Sequence, residues 1–103
     1  MIRCKMLVDE DTVFLRLKGH AGFAEEGKDI VCASASALCN TFVEFLRQKD
    51  IAFEYKLEKG NIEIKLTICE EMSGLWEVVS FVAVGLYILA CTYPKNIEFR
   101  RNF

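Results

Sequence analysis

Ile2-Arg3-Cys4-Lys5-Met6-Leu7-Val8-Asp9-Glu10-Asp11-Thr12-Val13-Phe14-Leu15-Arg16-Leu17-Lys18 is the stretch whose pattern decides the fold. Ile2, Cys4, Met6 and Val8 fall on one side of an extended chain, with Arg3, Lys5 and Leu7 on the other, because strand side chains alternate faces. The acidic run Asp9-Glu10-Asp11 interrupts that alternation, and Val13, Leu15 and Leu17 resume it against Phe14, Arg16 and Lys18. The spacing predicts a β-hairpin with one apolar and one polar face.

The same period returns further along. Ile51, Phe53, Tyr55 and Leu57 alternate, Lys59-Gly60-Asn61 turns the chain, and Ile62, Ile64, Leu66 and Ile68 alternate with Glu63, Lys65 and Thr67. A last short strand sets Ile97 and Phe99 against Glu98 and Arg100. Between the hairpins the period changes. Val31, Ala35, Leu38, Phe42 and Phe45 recur at spacings of three and four, beside a second stripe of Cys32, Ser36, Cys39, Val43 and Leu46, which predicts a helix buried over a wide arc. Met72 to about Thr92 reads as a second helix, apolar nearly all round from Val78 to Ala90. Its longest uncharged run, Val78 to Pro94, is 17 residues. That is short of the roughly 20 apolar residues a bilayer span needs, so a buried helix and no membrane contact are expected.

The element order is therefore β-β-α-β-β-α-β: an α+β, two-layer α/β sandwich with two helices packed on one face of a mostly antiparallel sheet. A single sheet leaves part of the second helix uncovered, which points to a partner subunit. Strand order does not follow from periodicity.

At 103 residues, 52% hydrophobic and with one proline, the chain reads as one globular domain, residues 1–103, and a disordered tail is excluded. Thirteen Lys and Arg against fifteen Asp and Glu give a net charge of -2, so no cationic surplus invites a direct nucleic-acid contact. The N-terminus carries no apolar run behind a basic stretch, so a secretion signal is not expected and the cytoplasm is. Five cysteines, an odd number with no CxxC pair, do not make a zinc pattern. In a reducing compartment each is either a small core residue or a reactive thiol. Cys4, Cys39, Cys69 and Cys91 read as core.

One stretch fits neither period: Gly19-His20-Ala21-Gly22-Phe23-Ala24-Glu25-Glu26-Gly27-Lys28-Asp29. It holds three of the six glycines and the only histidine. Glycine admits positive φ, so the segment reads as a mobile loop. Asp29 is placed to cap the first helix, which puts Cys32 in its first turn, at the positive end of the helix dipole, where a thiolate is favoured. His20 is twelve residues earlier, and a flexible loop can bring its imidazole to Cys32 as general acid/base to nucleophile. Each residue also has a plainer reading. Cys32 can be a structural thiol, His20 a solvated loop residue, Asp29 only a cap, Ser36 a small packing residue, and Glu25 with Glu26 a solvated charge pair.

The run Gly19-His20-Ala21-Gly22, followed by Gly27, Asp29-Ile30-Val31-Cys32-Ala33, Ser36 and Leu38, resembles the signature of the bacterial ribosomal-processing cysteine proteases, the Prp family. The likeness extends over nearly the whole chain, down to Tyr93-Pro94 before the last strand; Ala35 departs from it, where members often carry valine. The resemblance implies a homodimer and a substrate, the precursor of ribosomal large-subunit protein twenty-seven, whose N-terminal extension is removed. It implies Cys32 as nucleophile, His20 as general acid/base, Asp29 and Ser36 as supporting positions, and Gly19, Gly22 and Gly27 as the flexible substrate loop. No cofactor and no metal are implied. Backbone N–H groups at the start of the first helix would serve the oxyanion unless Asp29 occupies them.

Two other functions compete. A non-catalytic ribosome-assembly factor would bind a ribosomal protein and release it uncut. A thiol redox sensor would pair Cys32 with Cys39, but two helical turns separate them, about 10 Å of rise against a disulfide limit near 7 Å between Cα atoms.

Overall fold

The first hairpin forms as its alternation requires. In the computed structural model, which describes residues 1–103, β1 (Ile2–Asp9) and β2 (Thr12–Lys18) pair antiparallel with Cys4 opposite Leu17, Met6 opposite Leu15 and Val8 opposite Val13. Glu10 takes a positive φ of 54° to make the turn. β4 (Asn61–Thr67) continues the same rows on the other side of β2, with Leu17 opposite Ile62, Leu15 opposite Ile64 and Val13 opposite Leu66. These rows give one apolar face, because a register shift of a single residue would turn every one of these side chains over.

β3 (Glu54–Glu58) pairs with β4 at one edge, and β5 (Ile97–Arg101) runs parallel to β1 at the other, so the order is β3-β4-β2-β1-β5. The three neighbouring pairs β3–β4, β4–β2 and β2–β1 are antiparallel and only the β1–β5 pair is parallel, as a return through a helix demands. The apolar rows of β1, β2 and β4 are buried while Arg3, Lys5 and Leu7 are exposed, so both helices lie on one face.

α1 (Ile30–Gln48) buries Val31, Ala35, Cys39, Phe42, Val43 and Leu46, and α2 (Leu75–Thr92) buries Leu75, Val79, Val82, Ala83 and Leu86. Each of the valine, leucine and phenylalanine side chains among them contributes roughly 1.5–3 kcal/mol relative to exposure, which is what holds the helices down. The two helices meet at Gly85, where a Cβ would come within 2.8 Å of Leu38 Cδ2; the glycine allows that close approach. By length and composition alone α1 and α2 are apolar enough to cross a membrane, but each lays its buried stripe on the sheet.

Three expectations are corrected. Ile51 and Phe53 precede β3 and are not part of it. Asp50, at a positive φ of 58°, turns the chain out of α1, and the Ile51 N–H donates to the Leu46 carbonyl instead of to a strand. The second helical segment starts as a separate 3-10 turn at Glu70–Met72, and α2 begins at Leu75. Cys69 and Cys91 are exposed, unlike Cys4 and Cys39: Cys69 lies in the β4–α2 connection and Cys91 on the outer side of the last turn of α2.

Candidate active site

Asp29 is the one buried charged residue of the chain, and its four hydrogen bonds explain why burial is tolerated. Oδ1 accepts the N–H groups of Val31 and Cys32, both at 3.0 Å, and caps α1. Oδ2 accepts the N–H groups of Phe23 at 2.9 Å and Ala24 at 3.2 Å. The Cys32 N–H above all, with those of Ala24, Phe23 and Val31, holds the Asp29 carboxyl below the usual carboxylate range against the opposing effect of desolvation. The cap was legible in the sequence. The second pair of bonds, which clamps the glycine-rich loop to the helix start, was not.

Cys32 is the third residue of α1 and is half-buried. Its sulfur accepts the Ala21 N–H at 3.3 Å. Ala21 is in turn held by Asn96, whose Nδ2 donates to the Ala21 carbonyl at 3.0 Å, and the Phe23 ring packs edge-on against Tyr93 with centroids 5.3 Å apart. The segment between α2 and β5 therefore fastens the loop that covers the thiol. Periodicity held no signal for Asn96, which lies 75 residues from Ala21 in sequence.

His20 follows Gly19, whose φ of 99° turns the chain out of β2. The His20 ring rests against Gly60 in the β3–β4 turn, and both His20 and Cys32 line one cleft of about 560 Å³ between that turn and the start of α1. Asp29, Ser36, Gly19 and Gly27 line it as well; Gly22 does not. The two side chains share the cleft without a direct hydrogen bond, the bond to the sulfur coming from Ala21. Ser36, one turn after Cys32, is half-buried on the cleft wall.

Glu26 pairs with Lys59 across the cleft mouth, and Glu25 pairs with Lys28 at 2.9 Å, so the two acidic residues are partnered and exposed. Such surface pairs contribute little to stability. No group of three or more His, Cys, Asp or Glu side chains is arranged to hold a metal ion. Cys4 and Cys39 are chemically quiet by comparison with a thiol in a cleft. Burial pushes both thiols up to about 12, that of Cys4 with added repulsion from Cys39 and Glu98. A partly open sulfur at the positive end of a helix, with a donor N–H on it and the only imidazole in the same cleft, is an arrangement suited to nucleophilic attack.

The chain is similar to proteins already known. The family model described as cysteine protease Prp matches residues 1–98. The ribosomal processing cysteine protease Prp of Mycoplasma genitalium is 38% identical over 85 residues, spanning 82% of this chain and 83% of that protein. Its namesake from Mycoplasma pneumoniae is 31% identical over the same shares. The essential ribosomal processing protease Prp from S. aureus, solved with a covalently linked product peptide, superposes with a TM-score of 0.84 at 24% identity, covering 99% of this chain and 100% of that one. At that identity the superposition establishes the fold.

Proposed function

The chain belongs to the Prp family and is a cysteine protease, and from that premise we propose that it removes the N-terminal extension of ribosomal large-subunit protein twenty-seven with a Cys32–His20 dyad. The observation that carries the reading is the Cys32 sulfur, half-open in the first turn of α1, in one cleft with the chain's only histidine. The name of the Mycoplasma relatives, ribosomal processing, and the product peptide attached to the S. aureus protein support the substrate class.

In this mechanism a lone pair of the Cys32 thiolate forms a C–S bond to the scissile carbonyl carbon, and the carbonyl π pair moves to oxygen. Collapse of that intermediate breaks the C–N bond, and protonated His20 hands its proton to the departing amine. Water then attacks the thioester, gives a proton back to His20, and the sulfur leaves as thiolate. Asp29 supports the reaction by fixing the loop against the helix. The glycines of the loop, at φ of 99° for Gly19, 67° for Gly22 and 86° for Gly27, let it rearrange over the peptide.

The enzyme works in the cytoplasm as a homodimer that covers the outer face of α2. Phe81, Val84, Tyr87 and Ile88 are exposed there, and an apolar face of that kind is usually covered by a second chain. The test is mass spectrometry of a precursor carrying the extension after incubation with the protein. One new N-terminus at a single bond is expected; binding of the precursor with no product contradicts the proposal and favours an assembly factor.

A further inference from the structure

A cysteine protease needs hydrogen-bond donors where the carbonyl oxygen becomes negative. The start of α1 is the obvious source, but three of its N–H groups are engaged by Asp29. Those of Val31 and Cys32 go to Asp29 Oδ1, and that of Ala33 goes to the Asp29 carbonyl at 3.0 Å. The N–H aimed at the reacting sulfur belongs instead to Ala21.

That N–H is held from behind. Asn96 Nδ2 donates to the Ala21 carbonyl at 3.0 Å, and Asn96 is itself fixed through its backbone. Its N–H donates to the Tyr93 carbonyl at 2.9 Å, and its carbonyl accepts the Ile2 N–H at 2.9 Å, on the first residue of β1. Ala21 is buried, so its peptide has little freedom to turn away. The chain of bonds runs from the first residue of β1, through an amide side chain, to the sulfur.

Charge moves during the reaction. The thiolate accepts a hydrogen bond well; once the C–S bond forms, the sulfur is neutral and a poor acceptor, and the negative charge sits on an oxygen two bonds away. A donor already touching the sulfur needs only a small turn to reach that oxygen. We propose that the Ala21 N–H follows the negative charge from the Cys32 sulfur to the oxyanion, and that Asn96 is the positioning residue that aims it. This rests on Cys32 being the nucleophile. The donor gives up no proton, so the bonds made and broken are those of the mechanism above.

The test uses the full chain and a precursor peptide carrying the extension. Asn96→Asp keeps the side-chain shape but replaces the donating amide with an acceptor. A semisynthetic protein with an ester in place of the His20–Ala21 amide removes the N–H and keeps every side chain. Asn96→Asp is expected to lower kcat about tenfold or more with KM within twofold, as misaiming a catalytic group does. The ester is expected to lower kcat about 100-fold, the usual effect of losing one oxyanion donor. A merely structural role for Asn96 would lower the melting temperature and leave kcat of the folded fraction unchanged, which overturns the positioning role. An ester protein with kcat within twofold of the native chain overturns the oxyanion role, and it decides the matter if Asn96→Asp does not fold. Cleavage by Cys32→Ala, measured alongside, would instead break the underlying assignment of the nucleophile.

Discussion

The His20 imidazole sits on Gly60: a Cβ at that position would lie 2.8 Å from Nε2 and 2.9 Å from Cε1. The Gly19 N–H donates to the Gly60 carbonyl at 3.0 Å, so the turn between β3 and β4 is joined to the end of β2 and forms a shelf under the ring. Any side chain there displaces the imidazole from the cleft wall it shares with Cys32.

Gly60→Ala is accordingly expected to lower kcat by about tenfold or more. Its φ of 73° also penalises alanine, by roughly 1–2 kcal/mol of stability. Cleavage kinetics and thermal melts on the same sample separate the two effects. Full activity in a folded Gly60→Ala protein contradicts the shelf.

Asp29 ties stability to acid. Its carboxyl is held below the ordinary value of 3.8, so the native state favours the ionised form. That contribution is fully present above the ordinary value and is lost as pH falls below it and through the lower folded value. Asp29→Asn lacks the titration, and one amide oxygen cannot serve all four N–H groups. The difference in melting temperature between the native chain and Asp29→Asn is expected to be largest near neutrality and to shrink below about pH 4. A difference independent of pH contradicts the clamp.

Thiol labelling should sort the five cysteines by environment. Cys32, Cys69 and Cys91 are expected to react with iodoacetamide in the folded protein, while Cys4 and Cys39, buried and with thiols pushed up to about 12, stay silent until the chain is denatured. A bound precursor peptide should shield Cys32 alone. Peptide mapping that finds Cys32 as slow as Cys4 contradicts its place in the cleft.

The outer face of α2 carries the dimer prediction. Phe81 is 77% exposed, and Val84 and Ile88 follow it on the same helix face. Sedimentation is expected to show a dimer for the native chain and an 11.8 kDa monomer for Phe81→Asp. A native chain that sediments only as the monomer at micromolar concentration contradicts the covered face.

The parts of the fold legible from sequence are those written in a short period. Ile2 to Leu17 alternate because one sheet face is buried, and Val31 to Leu46 repeat because one helix face is. The alternation from Ile51 to Leu57 does not mark where β3 starts, because an edge strand exposed along its length has no buried face to fix its bounds. The cap at Asp29 and the helical position of Cys32 were visible because both are local. Gly60 under His20 and Asn96 behind Ala21 were not, since each contact depends on strand order: β4 beside β2 brings Gly60 to Gly19, and β5 beside β1 brings Asn96 to the loop. Cys69 and Cys91 are exposed where the sequence points to core, because residue type alone carries no information about which side of a helix or connection faces water.

The central claim is that the Cys32 sulfur is the nucleophile, and the direct measurement compares cleavage of the extended precursor by the native chain and by Cys32→Ala. Loss of all product with Cys32→Ala, while its melting temperature stays close to that of the native chain, is the predicted result. Product formed by Cys32→Ala at a rate near that of the native chain would contradict the claim.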